Sequence, residues 1–147
     1  MTIVETKKQE DLLKGISIAF EDDDKLIKEY HIIGGNYEDC VNDTYNRILE
    51  ESKISELYTY LVTNKEGYII GFIVVSLQYQ ILYSFGLNIK YRKEFSEDFF
   101  NKISDLLYNC FGCGLYNKNE RAIKFLLRNG MEIVLRDGEK TILRLCQ

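Results

Sequence analysis

Apolar positions along the chain switch between two periods, and the switches outline its elements. Thr2–Thr6 alternates and favours β-branched residues, which predicts a short first strand. Leu12, Leu13, Ile16 and Phe20 then recur at helical spacing, with Gly15 weakening that helix. A second helical segment over residues 25–31 follows an acidic run at residues 21–24, and Gly34-Gly35 breaks the chain. Asn36 is placed to cap a third helix, with Glu38 and Asp39 in its first turn. Cys40, Val41, Tyr45, Ile48 and Leu49 form the apolar face of that helix.

From Glu56 the period shortens. Residues 57–63 read as a strand, 64–67 as a hairpin turn, 68–77 as its partner and 81–89 as a third strand. Residues 97–108 give the clearest helix. Ser96 is its expected N-cap, and Phe99, Phe100, Ile103, Leu106 and Leu107 lie on one face. A strand at Cys110–Tyr116 and a helix over 119–128 follow, the helix stopped by Asn129-Gly130. Residues 131–135 and 141–145 alternate around the turn Asp137-Gly138. This order predicts one α/β domain over residues 1–147, a mixed sheet of about six or seven strands with helices on both faces. The helix over 97–108 links the strands at 81–89 and 110–116. A crossover of that kind predicts that the two run parallel.

Composition narrows the function classes. A chain of 147 residues is long enough to bury a core without metal or disulfide. A net charge of −4, with basic residues interleaved among acids, argues against a nucleic-acid partner. No apolar run is long enough to span a bilayer, and no signal-peptide pattern opens the chain. Four cysteines are sparse for a disulfide scaffold and fit a reducing compartment. There is no proline, and the abundance of Tyr, Ile, Lys and Asn suggests an AT-rich genome, as in many phages and low-GC bacteria.

The stretch Asn119-Glu120-Arg121-Ala122-Ile123-Lys124-Phe125-Leu126-Leu127-Arg128-Asn129-Gly130-Met131 resembles the pattern Asn-x-x-Ala-x-x-Phe-Tyr-x-x-x-Gly-Phe of the GNAT superfamily of N-acetyltransferases. It stands after a short strand and before a final hairpin, as in that family, and the order of elements matches over nearly the whole chain. The resemblance implies the GNAT fold. It also implies that the strands at 81–89 and 110–116 splay apart to admit acetyl-CoA.

The sequence departs from the family at two places. The family holds the cofactor's pyrophosphate on a loop reading roughly Arg/Gln-x-x-Gly-x-Gly/Ala, whose glycines let backbone N–H groups approach. Residues 90–100 here contain no glycine, and Glu94, Glu97 and Asp98 bring negative charge, with Arg92 and Lys93 as a partial offset. Leu126 stands where many members carry a Tyr that protonates the departing thiolate. Met131 replaces a Phe, which is a tolerable packing change.

Other chemistry is weaker. Cys110 and Cys113 have Cys-x-x-Cys spacing, but a structural zinc needs four ligands and no second pair exists. Buried inert thiols are the plain reading, with a redox pair or a metal as alternatives; the topology that the resemblance implies brings Cys146 toward Cys110 or Cys113 through the last strand. His31, the lone histidine, reads as a helix-end residue. The acidic run lacks the alternation and glycine of a calcium loop and reads as a solvated helix start. Tyr79, Tyr83 and Tyr91 are candidates for an exposed adhesive surface.

The two lost features lead to the expectation of a non-enzymatic structural or protein-interaction subunit on an acetyltransferase-like fold. In that reading it is a phage virion component of tail or collar, placed in the virion or the cytoplasm. It has other proteins as partners, no catalytic residue, no metal and no cofactor, and the isolated protein does not bind acetyl-CoA usefully. The alternative is a divergent acetyl-CoA-dependent N-acetyltransferase. Its cofactor contacts would be the strand backbone around Leu87 and Ile89, together with Asn119.

Overall fold

The computed structural model describes residues 1–30 and 32–146. His31, and with it the helix-end reading of that residue, lies outside the described residues. The elements run β1 (Thr2–Thr6), α1 (Gln9–Phe20), α2 (Asp24–Glu29), α3 (Tyr37–Ser52), β2 (Tyr58–Thr63), β3 (Ile69–Ser76), β4 (Ile81–Leu87), α4 (Ile89–Leu106), β5 (Cys110–Tyr116), α5 (Glu120–Arg128), β6 (Glu132–Arg136) and β7 (Lys140–Cys146). They form a single α/β domain. Its one mixed sheet of seven strands has the order β1-β2-β3-β4-β5-β7-β6. As expected, β4 and β5 run parallel and every other pair is antiparallel.

The layers follow from the apolar stripes. Leu12, Ile16 and Phe20 of α1, with Cys40, Val41 and Ile48 of α3, pack on Phe72 and Val74 on one face. Phe99, Phe100 and Ile103 of α4, with Phe125 and Leu126 of α5, pack on Ile73, Leu82 and Leu143 on the other. The third helix starts at a capping box: Asp39 N–H donates to Asn36 Oδ1 at 2.9 Å and Asn36 N–H to Asp39 Oδ2 at 3.1 Å. Gly15, which sequence alone reads as a weakness, is a packing requirement. A Cβ there would lie 2.8 Å from Leu61 Cδ2 and 3.1 Å from Phe72 Cβ. No helix of the described residues is long and apolar enough to cross a membrane.

One element differs in a way that matters. α4 begins at Ile89, not at Glu97, and β4 ends at Leu87. Asn88 makes the junction. Its N–H donates to Ile70 O at 2.8 Å, its Nδ2 to Ile18 O at 2.8 Å, and its Oδ1 accepts from Lys90 N–H at 3.0 Å. A buried N-cap thus turns strand directly into helix, and Ser96 lies inside α4.

Candidate functional site

The opening between β4 and β5 follows from one extra residue. Ser84 opposes Val74 and Leu82 opposes Val75, so Tyr83 is inserted between them. A bulge of this kind bends a strand and increases its twist. It lies just beyond Ile81, which opposes Gly112 in the single registered rung between β4 and β5 among the described residues. There Gly112 N–H donates to Gln80 O at 3.0 Å. Past that rung the strands part.

The ladders on either side fix which peptide groups face the gap. Asn88 N–H bonds to Ile70 O, so alternation turns Gly86 and Ser84 toward β3 and turns Phe85 and Leu87 toward the opening. Asn117 N–H bonds to Glu139 O, and the same alternation along β5 turns Gly114 and Tyr116 inward. Leu87 O already accepts Arg92 Nε at 2.7 Å and Tyr116 O accepts Asn119 N–H at 2.9 Å. The N–H groups of Phe85 and Leu87 therefore remain directed into the gap, available to an extended ligand.

On the α4 and α5 side the gap widens into a cavity of about 510 Å³. Leu87, Ile89 and Asn119 all line it. From α4 its wall is Ile89, Arg92, Lys93, Ser96 and Phe99, a spacing that keeps all five on one helical stripe. Glu94, Glu97 and Asp98 are exposed and lie off that stripe. Their expected place at the helix N-terminus is a misreading of where the helix starts, because the first turn of α4 holds no acid. α5 adds Arg121 and Arg128, so four cations and, among the described residues, no carboxylate line the cavity. Lys93 and Arg128 pair with no carboxylate among the described residues.

Arg92 and Arg121 are fixed by Asp23, which is fully buried. Asp23 accepts from Arg92 Nη1, accepts from Arg121 Nη1 on both oxygens (Oδ2 at 3.1 Å, Oδ1 at 3.2 Å), and caps α2 by accepting Leu26 N–H at 3.2 Å. The acidic run is therefore a solvated helix start at Glu21, Asp22 and Asp24 only. Burial also pulls the Arg92 guanidinium below its usual range, against the Asp23 charge that raises it. Asn119 caps α5, its Oδ1 accepting Ala122 N–H at 3.4 Å.

On the α1 and α3 side lies a smaller pocket of about 140 Å³. Tyr30, Arg47, Tyr83, Ser84, Tyr116 and Lys140 are among its polar lining residues, with Thr44 and Asn119. Leu26, Phe85, Gly86 and Asn119 line both spaces, so the two meet through the gap in the sheet. Tyr30 O–H donates to Asp43 Oδ2 at 2.8 Å, and burial raises its phenol well above the usual range. Burial likewise raises the Tyr83 phenol, whose O–H donates to Arg47 O at 3.3 Å.

The remaining candidates separate. Leu126 is fully buried in the core and offers no proton. Cys113 points into the same core, where desolvation pushes its thiol up to about 12. Cys110 instead meets Cys146, Sγ to Sγ 3.0 Å, across β5 and β7. The Cys-x-x-Cys spacing therefore makes no pair, and no metal-holding group of three or more ligands occurs among the described residues. Tyr79 is exposed in the turn before β4, Tyr83 faces α3, and Tyr91 packs on Phe95 of α4. They form no common surface.

No family model matches the sequence, and no curated protein matches it. Solved structures do match. The PaiA N-acetyltransferase of Thermoplasma acidophilum in complex with coenzyme A is 15% identical with a TM-score of 0.69, covering 98% of each chain. The Campylobacter jejuni N-acetyltransferase PseH in complex with acetyl coenzyme A is 16% identical with a TM-score of 0.58, covering 99% of each chain. Spermidine N-acetyltransferase from Vibrio cholerae in complex with CoA and spermine is 10% identical with a TM-score of 0.58, covering 98% of this chain and 92% of that one. The chain has the GNAT-like fold. These neighbours overturn the expectation of a non-enzymatic structural subunit, and none of them links the chain to a phage or a virion. The physical reason lies in α4. With its acids turned away and its cations turned in, the cavity favours an anion.

Proposed function

We propose that residues 1–147 act as one acetyl-CoA-dependent N-acetyltransferase domain. The observation that carries this reading is the passage through the sheet. A roomy cationic cavity on one face meets a small polar pocket on the other at Phe85 and Gly86. A cofactor and an acceptor amine entering from opposite faces would meet there, which is the arrangement a two-substrate transfer needs.

The residues fit the cofactor. Lys93, Arg92, Arg121 and Arg128 would neutralise its phosphates in place of glycine-loop amides. Phe85 and Leu87 N–H would pair with the amides of its extended arm, with Ile89 as an apolar contact and Asn119 beside the gap. Bound acetyl-CoA supplies a thioester whose C–S bond is exchanged for the C–N bond of an amide, the amine losing a proton and the thiol gaining one. Leu126 contributes no acid to that exchange. Positioned acids contribute about 10²–10⁴-fold in general, but an alkyl thiol ionises near pH 8.5, so a thiolate leaves without obligatory help.

Titration calorimetry with acetyl-CoA tests the reading. Micromolar binding is expected, weakened about tenfold by Lys93→Gln or Arg128→Gln, the effect of losing one charge-assisted contact. Binding weaker than about 1 mM, or binding indifferent to both substitutions, would overturn it.

A further inference from the structure

The pocket on the α3 face carries a charge pattern of its own. Arg47 reaches it from α3 and Lys140 from the start of β7, and both stand over the same Tyr116 ring, 5.2 and 4.9 Å from its centroid. Two cations gathered at one ring repel each other unless negative charge beside them offsets it. No carboxylate lines the pocket among the described residues. Asp43 on α3 offsets part of the Arg47 charge from outside the lining. Asp43 lies 4.0 Å from Arg47 Nη1 and accepts Tyr30 O–H, while Asp137 accepts the N–H groups of Glu139 and Lys140 at 2.7 Å in its own turn.

We infer that this pocket selects an acceptor amine that carries an anionic group, a carboxylate or a phosphate, and rejects polyamines. The inference rests on the transferase reading above for the word acceptor. The anion site itself rests only on Arg47, Lys140 and Tyr116. Ser84 and Tyr83 lie deeper, on the β4 edge that leads to Gly86. An acceptor held by its anion between Arg47 and Lys140 would direct its amine past them toward the gap. A polyamine would have to place further ammonium groups beside the two cations with no carboxylate in the described lining to receive them. The neighbour crystallised with spermine therefore differs from this chain in the acceptor it takes, although the fold is shared.

The test uses probes matched in size. O-phosphoethanolamine, β-alanine, ethanolamine and spermidine are titrated by calorimetry into the full chain saturated with CoA. Saturation fills the α4-side cavity, so anion binding that remains reports the α3 side. The same titrations on the Lys93→Gln/Arg128→Gln variant without CoA serve if CoA does not bind. Failure of CoA to bind would remove the transferase reading and leave the anion site to be judged by itself. O-phosphoethanolamine should bind at least about tenfold tighter than ethanolamine, the scale of one charge-assisted contact, and spermidine weaker than ethanolamine. Arg47→Gln and Lys140→Gln should each remove most of that preference with ethanolamine unchanged, and Arg47→Lys should restore part of it. Spermidine binding tighter than ethanolamine, or an anion preference that survives both glutamine substitutions, would overturn the inference.

Discussion

Replacing Asp23 by Asn tests how the cationic cavity is held. The carboxylate is fully buried and serves three donors, Arg92, Arg121 and Leu26 N–H. Removing one member of a buried ion pair costs about 3–5 kcal/mol. The arginine side chains retain 22% and 36% exposure, so water re-solvates part of what is lost and about 2–3 kcal/mol remains. The Asn oxygen keeps the cap on Leu26; Asp23→Ala loses that as well and adds about 1 kcal/mol. For a chain of this length each kcal/mol moves the Tm by about 2–4 °C. The Tm followed by circular dichroism should therefore fall by about 4–12 °C for the Asn variant and by a few degrees more for Ala. The substitution also raises the charge at the cavity by one unit. Acetyl-CoA binding should then depend more steeply on salt than in the unaltered protein, because exposed charge is screened within about 10 Å at 0.1 M. Arg121→Gln should cost less in the Asn background than in the native one, as coupled partners do. A Tm within about 2 °C of the native value, or fully additive substitutions, would refute the reasoning.

Two further outcomes concern the scaffold. Gly71→Ala should destabilise the fold by about 1–3 kcal/mol in urea unfolding, because its Cβ would fall 2.3 Å from Gly86 O, a backbone atom beside the gap; an unchanged midpoint would show that β3 and β4 can separate freely there. A mild oxidant should join Cys110 to Cys146 within one chain, removing two of four titratable thiols with a mass loss of about 2 Da. They face each other at a position of the β5–β7 ladder without mutual backbone bonds. Cys40 and Cys113 should stay reduced, their thiols pushed up to about 11 and 12 by burial; an intermolecular dimer or four persistent thiols would contradict this.

Much of the scaffold was legible because it rests on local periodicity. The change from helical to alternating spacing near Glu56, the Asn36 cap and the Asn129-Gly130 stop all sit where the pattern predicts. What escaped depends on partners far along the chain. Asp23 looks like one acid among four, and the arginines that bury it lie 69 and 98 residues away. The insertion of Tyr83 leaves no mark in the sequence, because a bulge belongs to the pairing of two strands and neither sequence shows it alone. Asn88 carries no sequence mark of a cap, because the strand before it and the helix after it meet with no loop between them.

The start of α4 also decided how the site was read. If the helix begins at Glu97, Glu94, Glu97 and Asp98 crowd its N-terminus and repel a phosphate. With the start at Ile89, the same residues occupy the second and third turns, and the rotation of about 100° per residue sorts them by sign. Arg92, Lys93 and Ser96 face the cavity, and the three acids face solvent. The missing glycines then carry a different meaning. A glycine loop exposes backbone donors, but here the first donors of α4 are already used: Lys90 N–H bonds to Asn88 Oδ1 and Tyr91 N–H to Asn88 O. Anion binding must pass to side chains. Side-chain cations are exposed and screened where backbone amides are fixed and desolvated, so affinity in this chain should fall faster with salt than in a glycine-loop enzyme. The Asp23 brace follows from the same need, because an arginine standing in for a rigid amide has to be held in place.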